Sequence, residues 1–132
     1  VTYTEPELAS VGLTEAEAFQ KGVAFEVTRY DLDDLDRAIA EGERCGFVKI
    51  LTAKGSDRIL GATVVGEHAG EILTEITFAM KHKMGLRKIL ATIHPYPTWS
   101  EATKYAAGQF GLARKPIGLL KWAERWFRWQ RG

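Results

Sequence analysis

The clearest pattern along the chain is two apolar segments separated by a turn. Residues 46–52 and 59–66 are rich in β-branched and aliphatic side chains, and the sequence Lys54-Gly55-Ser56-Asp57 between them is typical of a turn. We expect the two segments to pair as an antiparallel hairpin. Residues 23–30 alternate loosely between apolar and polar side chains, which predicts another strand.

Helices are predicted after the strands. From residue 69 to residue 84, apolar side chains recur at helical spacing and form one face. Shorter helices are predicted at 86–91 and 98–107. Strands followed by helices favour the α+β class, with an antiparallel β-sheet and helices packed on one side of it.

Two capping boxes mark predicted helix starts. Thr14 with Glu17 predicts a helix that ends near Gly22, and Thr98 with Glu101 predicts the start of the helix at 98–107. In each box the threonine is the expected N-cap and the glutamate is expected to bond back to it.

Residues 31–44 are charged and sparse in apolar side chains. They predict a solvated loop with a short helix at about 35–39. The next residue, Cys45, precedes a strand, and we expect it to be a small buried side chain.

Composition excludes several classes of protein. The chain has 132 residues with 18 basic and 17 acidic ones, so no net field attracts nucleic acid. Its single cysteine excludes an internal disulfide and a CxxC pair. No segment has the roughly 20 apolar residues of a transmembrane helix. The polar start without Met leads us to expect a fragment of a cytoplasmic protein.

Five stretches, in the same order, resemble the dimerisation domain of the pyridine nucleotide–disulfide oxidoreductases, the family of dihydrolipoamide dehydrogenase, glutathione reductase and mercuric reductase. The resemblance covers about residues 1–112. The stretches are 4–15, 46–50, 59–62, 66–71 and 97–101.

The resemblance implies a homodimer whose subunits also carry N-terminal FAD and NAD(P) domains. It implies that the redox disulfide of one subunit faces this domain of the other, where a loop histidine exchanges protons with the thiols and a glutamate orients it. This chain has neither a GxGxxG loop at the head of a βαβ unit nor a redox cysteine pair. We therefore expect the fragment to bind no FAD, NAD(P)H or metal by itself and to be inactive alone.

The chain departs from the family at that histidine, because Tyr96 stands in its place. A phenol with a pKa near 10 is a poor base at neutral pH compared with an imidazole near 6.5. Mercuric reductases also carry a tyrosine there, which favours a mercuric-reductase-like flavoenzyme. The C-terminal cysteine pair of those enzymes is absent here, so the substrate stays open.

The expected catalytic residues are Tyr96, Glu101 and His94, and the expected contacts to the partner's FAD are His94, Tyr96 and Pro97. In an extended loop His94 would project on the same side as Tyr96 and could take over proton transfer. Alternatively, it is a loop histidine that bonds to the backbone. Glu101 could orient a catalytic side chain, cap its helix, or do both. The resemblance also implies a bend at Pro97, for which we predict a cis Tyr96–Pro97 bond.

The last part of the chain, residues 113–132, predicts a separate amphipathic helix after a dimerisation domain at 1–112. One interpretation is contact with the inner face of a membrane through residues 119–132, and the other is packing on protein. A non-catalytic dimerisation or membrane-attachment module is the alternative function. One face of the predicted helix carries Trp122, Trp126 and Trp129. Another face carries the basic residues Lys121, Arg125, Arg128 and Arg131.

Overall fold

The computed structural model describes residues 1–114 of the chain. It contains four strands, five α-helices and one 3-10 turn in that region. In chain order they are β1 (Glu7–Gly12), α1 (Glu15–Gln20), β2 (Phe25–Asp31), the 3-10 turn (Leu32–Asp34), α2 (Asp36–Glu41), β3 (Phe47–Ala53), β4 (Ile59–Gly66), α3 (Ala69–Lys81), α4 (Leu86–Ala91) and α5 (Glu101–Ala113).

The four strands form one antiparallel sheet in the order β1-β4-β3-β2. The predicted hairpin is confirmed, with Val48 opposite Val64 and Ile50 opposite Ala62. The predicted strand at 23–30 is confirmed as β2. Strand β1 lies at one edge and pairs with β4, so the first and last strands are neighbours and the sheet brings distant parts of the chain together.

The long helices α3 and α5 lie on one face of the sheet. Their buried residues join those of the strands in one apolar core, in which Val48, Ile50 and Ile76 are fully buried. The opposite face carries the short helix α1, where the Lys49 ammonium lies 2.6 Å from a carboxylate oxygen of Glu15. The α+β class with an antiparallel sheet is confirmed, and α1 is the helix that departs from one-sided packing.

The predicted cap of α1 is confirmed in both directions. The hydroxyl of Thr14 accepts a hydrogen bond from the backbone N–H of Glu17 at 3.2 Å, and the Glu17 carboxylate accepts one from the N–H of Thr14 at 2.8 Å. The helix ends at Gln20, close to the glycine that predicted its end.

The expectation of a solvated loop at 31–44 is wrong, whereas the short helix expected at about 35–39 is confirmed as α2. Leu32, Leu35 and Ala38 are fully buried in the core, and the segment folds as the 3-10 turn and α2. Their spacing of three residues places them on one side of a helical turn, while the charged residues between them face solvent. Three apolar residues on one side of this charged segment are therefore enough to pack it onto the core.

The expectation that Cys45 is buried is also wrong, since its side chain is exposed. Strand β3 begins only at Phe47, so Cys45 lies in the connection that leads to the sheet. The predicted helix at 69–84 ends earlier, at Lys81, and Lys83 adopts a left-handed backbone with φ of 55°.

Residues 115–132 lie outside the described part of the chain. The predicted tail helix, its boundary at residue 113 and its contact with a membrane or with protein stay predictions. Within residues 1–114, no helix is both long and apolar enough to cross a membrane.

Candidate functional site

The expected site residues lie on one connection, residues 92–100, between α4 and α5. Here we call it the site loop. The peptide bond between Tyr96 and Pro97 is cis, as predicted. A cleft of about 290 Å³ borders the loop, lined by Arg37, Ile72 and residues 97–100 among others.

Glu101 closes the end of the site loop. Its side chain is buried, with only 3% of the residue exposed, and its carboxylate accepts a hydrogen bond from the backbone N–H of Thr98 at 3.1 Å. The predicted capping box is thus only half present. The Thr98 hydroxyl donates to the carbonyl of Pro95 at 2.7 Å instead of accepting from Glu101, and α5 begins at Glu101.

His94 is turned into the subunit. Its side chain is 4% exposed, with Nε2 lying 2.9 Å from a carboxylate oxygen of Glu75 and Nδ1 lying 3.0 Å from the carbonyl oxygen of Thr92. The backbone bond agrees with the plainer of the two interpretations of this residue. The expectation that His94 and Tyr96 project together does not match the structure, because the His94 side chain is 4% exposed whereas Tyr96 is 69% exposed.

Tyr96 has the opposite environment, with 69% of the residue exposed. The Asp36 carboxylate raises the pKa of Tyr96 above its ordinary value of 10.0, and the charge of Glu101 acts in the same direction. The side chain is therefore a neutral phenol at physiological pH. It is able to donate a hydrogen bond at the surface, and it is a poor base.

Trp99 anchors the last part of the loop. It is 9% exposed, its indole N–H donates to the Glu41 carboxylate at 3.2 Å, and its ring lies 5.4 Å from that of His68. Burial raises the pKa of Glu41, but hydrogen bonds from Arg37 and Trp99 outweigh it, so that the pKa is lowered overall. The anion that receives the indole N–H is therefore stabilised.

Three residues of this region were not identified from the sequence: two that only the packing of other helices brings to the loop, and one with a local signal. Glu75 and Asp36 come from α3 and α2, and their contacts with the loop depend on the packing of those helices. Tyr105 had a local signal, because it lies one helical turn after Glu101 and its hydroxyl lies 3.5 Å from the Glu101 carboxylate. Its ring also lies 5.4 Å from the ring of Tyr30.

Residues 1–107 match the family described as the pyridine nucleotide-disulphide oxidoreductase, dimerisation domain. The chain belongs to this family. The expected resemblance is thereby confirmed, over the region that contains the sheet, α3, α4, the site loop and the first half of α5.

Sequence relatives of this dimerisation domain include two kinds of enzyme. A dihydrolipoyl dehydrogenase of Chlamydia muridarum is 42% identical over 101 residues, which cover 76% of this chain and 22% of the relative. A mercuric reductase of Streptomyces lividans is 37% identical over 110 residues, covering 83% of this chain and 23% of the relative. The chain thus spans less than a quarter of these proteins. The similar identities do not separate the two branches.

Solved structures share the fold. LpdA from Mycobacterium tuberculosis has a TM-score of 0.76 at 28% identity, covering 82% of this chain and 24% of that chain. The flavoprotein disulfide reductase RclA from Escherichia coli, solved as a Cu(II) complex, has a TM-score of 0.75 at 22% identity, covering 80% and 24%. The second likeness concerns the fold alone.

The family depends on FAD and NAD(P), but residues 1–114 do not suit either cofactor as a complete site. Every strand pair in the described region is antiparallel, so it lacks the βαβ unit whose glycine-rich turn binds a dinucleotide. Nor do those residues bring three potential metal ligands together.

Proposed function

We propose that this chain is the dimer-forming part of an FAD-dependent NAD(P)H oxidoreductase and that its site loop completes the reaction centre of the partner subunit. The observation that carries the proposal is the contrast within the loop. Tyr96 is 69% exposed, whereas Glu101 is 3% exposed and the His94 side chain is 4% exposed. A rigidly held loop that presents one polar aromatic side chain is suited to contact another surface.

In this proposal Tyr96 is the catalytic residue, and it acts as a hydrogen-bond donor. FAD, when bound by the rest of such an enzyme, supplies the redox chemistry. The phenol donates its hydrogen bond to a thiolate or another anion at the partner's redox disulfide, because a side chain whose pKa is raised stays protonated there. Pro97 lies beside it and is exposed, so it is the second expected contact with the partner's flavin.

Glu101 and His94 have supporting roles in this proposal. Glu101 fixes the backbone at Thr98, two residues from Tyr96, and its charge helps to keep the phenol protonated. His94 holds the start of the loop through Glu75 and Thr92, which leaves it without a free nitrogen for proton transfer at the partner's site.

The proposed dimer contact involves the exposed side of α3, where Phe78 is 57% exposed. The helix around residues 102–107 is the second candidate for this contact. Ala102, Ala106 and Ala107 are buried within their own subunit, so that side of α5 is closed to a partner. Homodimers of the full-length protein are part of the same proposal.

Mixed dimers of the full-length enzyme test whether the loop acts in trans. One subunit would carry Tyr96→Ala and the other would lack its redox cysteines, with NADH or NADPH as donor and lipoamide, glutathione disulfide, Hg(II) or 5,5′-dithiobis(2-nitrobenzoate) as acceptor. Each homodimer should be impaired. The mixed dimer should regain up to half of the wild-type activity, because one of its two sites is intact.

Two results would contradict the proposal. A mixed dimer as impaired as the parent homodimers would mean that the loop serves its own subunit. Equal activity of the Tyr96→Ala and wild-type homodimers would mean that Tyr96 is not catalytic. Tyr3→Ala is the matched control, since Tyr3 is 82% exposed and lies near the start of the chain, far from the site loop in sequence.

The identity of the acceptor is tested by restoring the family's histidine. Tyr96→His should increase turnover of lipoamide or glutathione disulfide, because an imidazole accepts the thiol proton at neutral pH and the phenol does not. Hg(II) turnover should fall in the same variant if a mercuric-reductase-like activity is present. If turnover of neither disulfide increases, the residue at position 96 does not determine which acceptor the enzyme reduces.

A further inference from the structure

A partly buried polar pair, His94 and Glu75, joins the site loop to α3. The Nε2 atom of His94 lies 2.9 and 3.1 Å from the two carboxylate oxygens of Glu75, and its Nδ1 atom lies 3.0 Å from the carbonyl oxygen of Thr92. Both ring nitrogens therefore face acceptors. At least one of these contacts is a hydrogen bond donated by the ring, since an imidazole carries at least one N–H.

Glu75 also reaches the other end of the loop. The hydroxyl of Thr103, a fully buried residue of α5, is hydrogen-bonded to the Glu75 carboxylate and lies 2.7 Å from the carbonyl oxygen of Ser100. One side chain of α3 thus contacts a residue near each end of the site loop. The loop residues between those ends include Tyr96 and Pro97.

Glu75 occupies a position on α3 where a charged side chain is energetically unfavourable unless it has partners. It follows the fully or nearly buried residues Ile72 and Leu73 on α3 and precedes Ile76, and its own side chain is 29% exposed. A carboxylate in such a position loses part of its hydration, and pairing with His94 and Thr103 offsets that loss. An apolar side chain there would fill the space without this cost, but it would not hold His94 and Thr103.

From this geometry we infer that Glu75 is a positioning residue for the proposed site. It fixes both ends of the site loop, through His94 at the start and Thr103 at the end, so that Tyr96 is presented to the partner subunit in one orientation. The inference rests on the proposed function of Tyr96. It adds a residue of α3, 21 positions before Tyr96 in the sequence, to the residues on which the activity depends.

The first test measures the loop directly. Glu75→Gln keeps the shape and one acceptor oxygen but removes the charge. In the full-length protein, hydrogen–deuterium exchange of amides 92–100 should become about tenfold faster, because charge-assisted bonds at both ends are weakened. Glu71→Gln, one turn earlier on the same helix and with an 81% exposed side chain, should leave exchange unchanged. Equal exchange in both variants would overturn the inference.

The second test asks whether Glu75 acts through Tyr96. Glu75→Gln should lower kcat about tenfold and leave the KM for NADH or NADPH unchanged, with 5,5′-dithiobis(2-nitrobenzoate) as acceptor. In the Tyr96→Phe background, the same substitution should have almost no further effect on kcat, since the group that it orients is already gone. Equal losses of kcat in both backgrounds would indicate general structural damage and would reject the positioning role.

The two tests separate failure of the inference from failure of the proposed function. If Tyr96→Phe has wild-type kcat, the proposed function is wrong, and the exchange experiment still decides whether Glu75 holds the loop. If Glu75→Gln does not fold, Thr103→Val removes the second contact and should accelerate exchange near Ser100. Thr103→Ser retains the hydroxyl and should restore wild-type exchange; a shared effect of both variants would overturn the inference.

Discussion

The carboxylate of Glu101 accepts a hydrogen bond from the backbone N–H of Thr98 at 3.1 Å, although α5 begins only at Glu101 itself. The side chain therefore closes the turn before the helix. The same carboxylate lies 3.5 Å from the hydroxyl of Tyr105, so that a buried anion is shared between the loop and the helix. The contact between Glu101 and Thr98 therefore both stabilises the start of α5 and fixes the end of the site loop.

The hydrogen bond between Glu101 and Thr98 should contribute measurably to the free energy of unfolding. Glu101→Gln keeps an acceptor for Thr98 and should lower the free energy of unfolding of the chain by about 1 kcal/mol, because a charged acceptor is replaced by a neutral one. Glu101→Ala leaves the partly buried N–H of Thr98 without this acceptor and should cost about 2 kcal/mol. Urea unfolding measures both. The exposed Glu43→Gln is the control, and equal values for all three variants would contradict the prediction.

The pKa of Tyr96 should depend on Asp36. The Asp36 carboxylate comes first among the groups that raise it. Asp36→Asn should therefore move the pKa down towards 10.0, as measured by NMR titration of ring-labelled tyrosine in the chain. Tyr96→Phe identifies the signal. A Tyr96 titration that is the same with and without the Asp36 carboxylate would show that another group sets its pKa.

Alkaline pH should destabilise the chain through Tyr30. Burial of its hydroxyl, followed by the charge of Asp34, raises the pKa of Tyr30 above 10.0. The folded state then keeps the proton to a higher pH than the unfolded state does. This contribution to stability is fully present below the unfolded-state pKa of about 10 and is lost as the pH rises through the folded-state pKa.

Unfolding measured across this range gives the test. The free energy of unfolding should fall above about pH 10, and Tyr30→Phe should make the fall shallower. Tyr3→Phe, at an 82% exposed position, should follow the wild type. The explanation fails if the Tyr30→Phe and wild-type curves are parallel.

Gly46 should tolerate no side chain. A Cβ atom there would lie 2.1 Å from the carbonyl oxygen of Val65, and the residue has φ of +142°. Gly46→Ala should lower the free energy of unfolding by about 3 kcal/mol or more, since strain and a backbone collision add.

A second glycine separates the cost of backbone strain from the cost of the collision with Val65. Gly42 also has a positive φ, +79°, but a Cβ atom there would meet nothing within 4 Å. Gly42→Ala should cost only about 1–2 kcal/mol, the cost of a left-handed backbone for an L-residue. Similar losses in the two variants, measured by urea unfolding, would mean that the collision at Gly46 relaxes without cost.

Much of the fold could be predicted from local patterns. The hairpin of β3 and β4, the helix after Thr14 and the helix α3 all follow from residue type and spacing within a few turns of chain. Leu32, Leu35 and Ala38 were misjudged for the opposite reason. Their stripe is too short to be distinguished from a loop until a core is present to receive it.

The candidate site shows the same division. Tyr96, Pro97 and Glu101 stand out because they are close in sequence and resemble a family motif. The inward orientation of His94 could not be predicted, because its partner Glu75 is 19 residues away on another element. Asp36 and Glu41 are further still, on α2, and contact the loop only through the packing of that helix.

By itself, the sequence determined most of the helices and strands, the family, and the residues of the loop, because these depend on side chains that are near neighbours along the chain. Only the tertiary structure decided which loop residues face solvent and which are held inside. That choice depends on burial and hydrogen-bond partners supplied by α2, α3 and α5, which no local pattern contains.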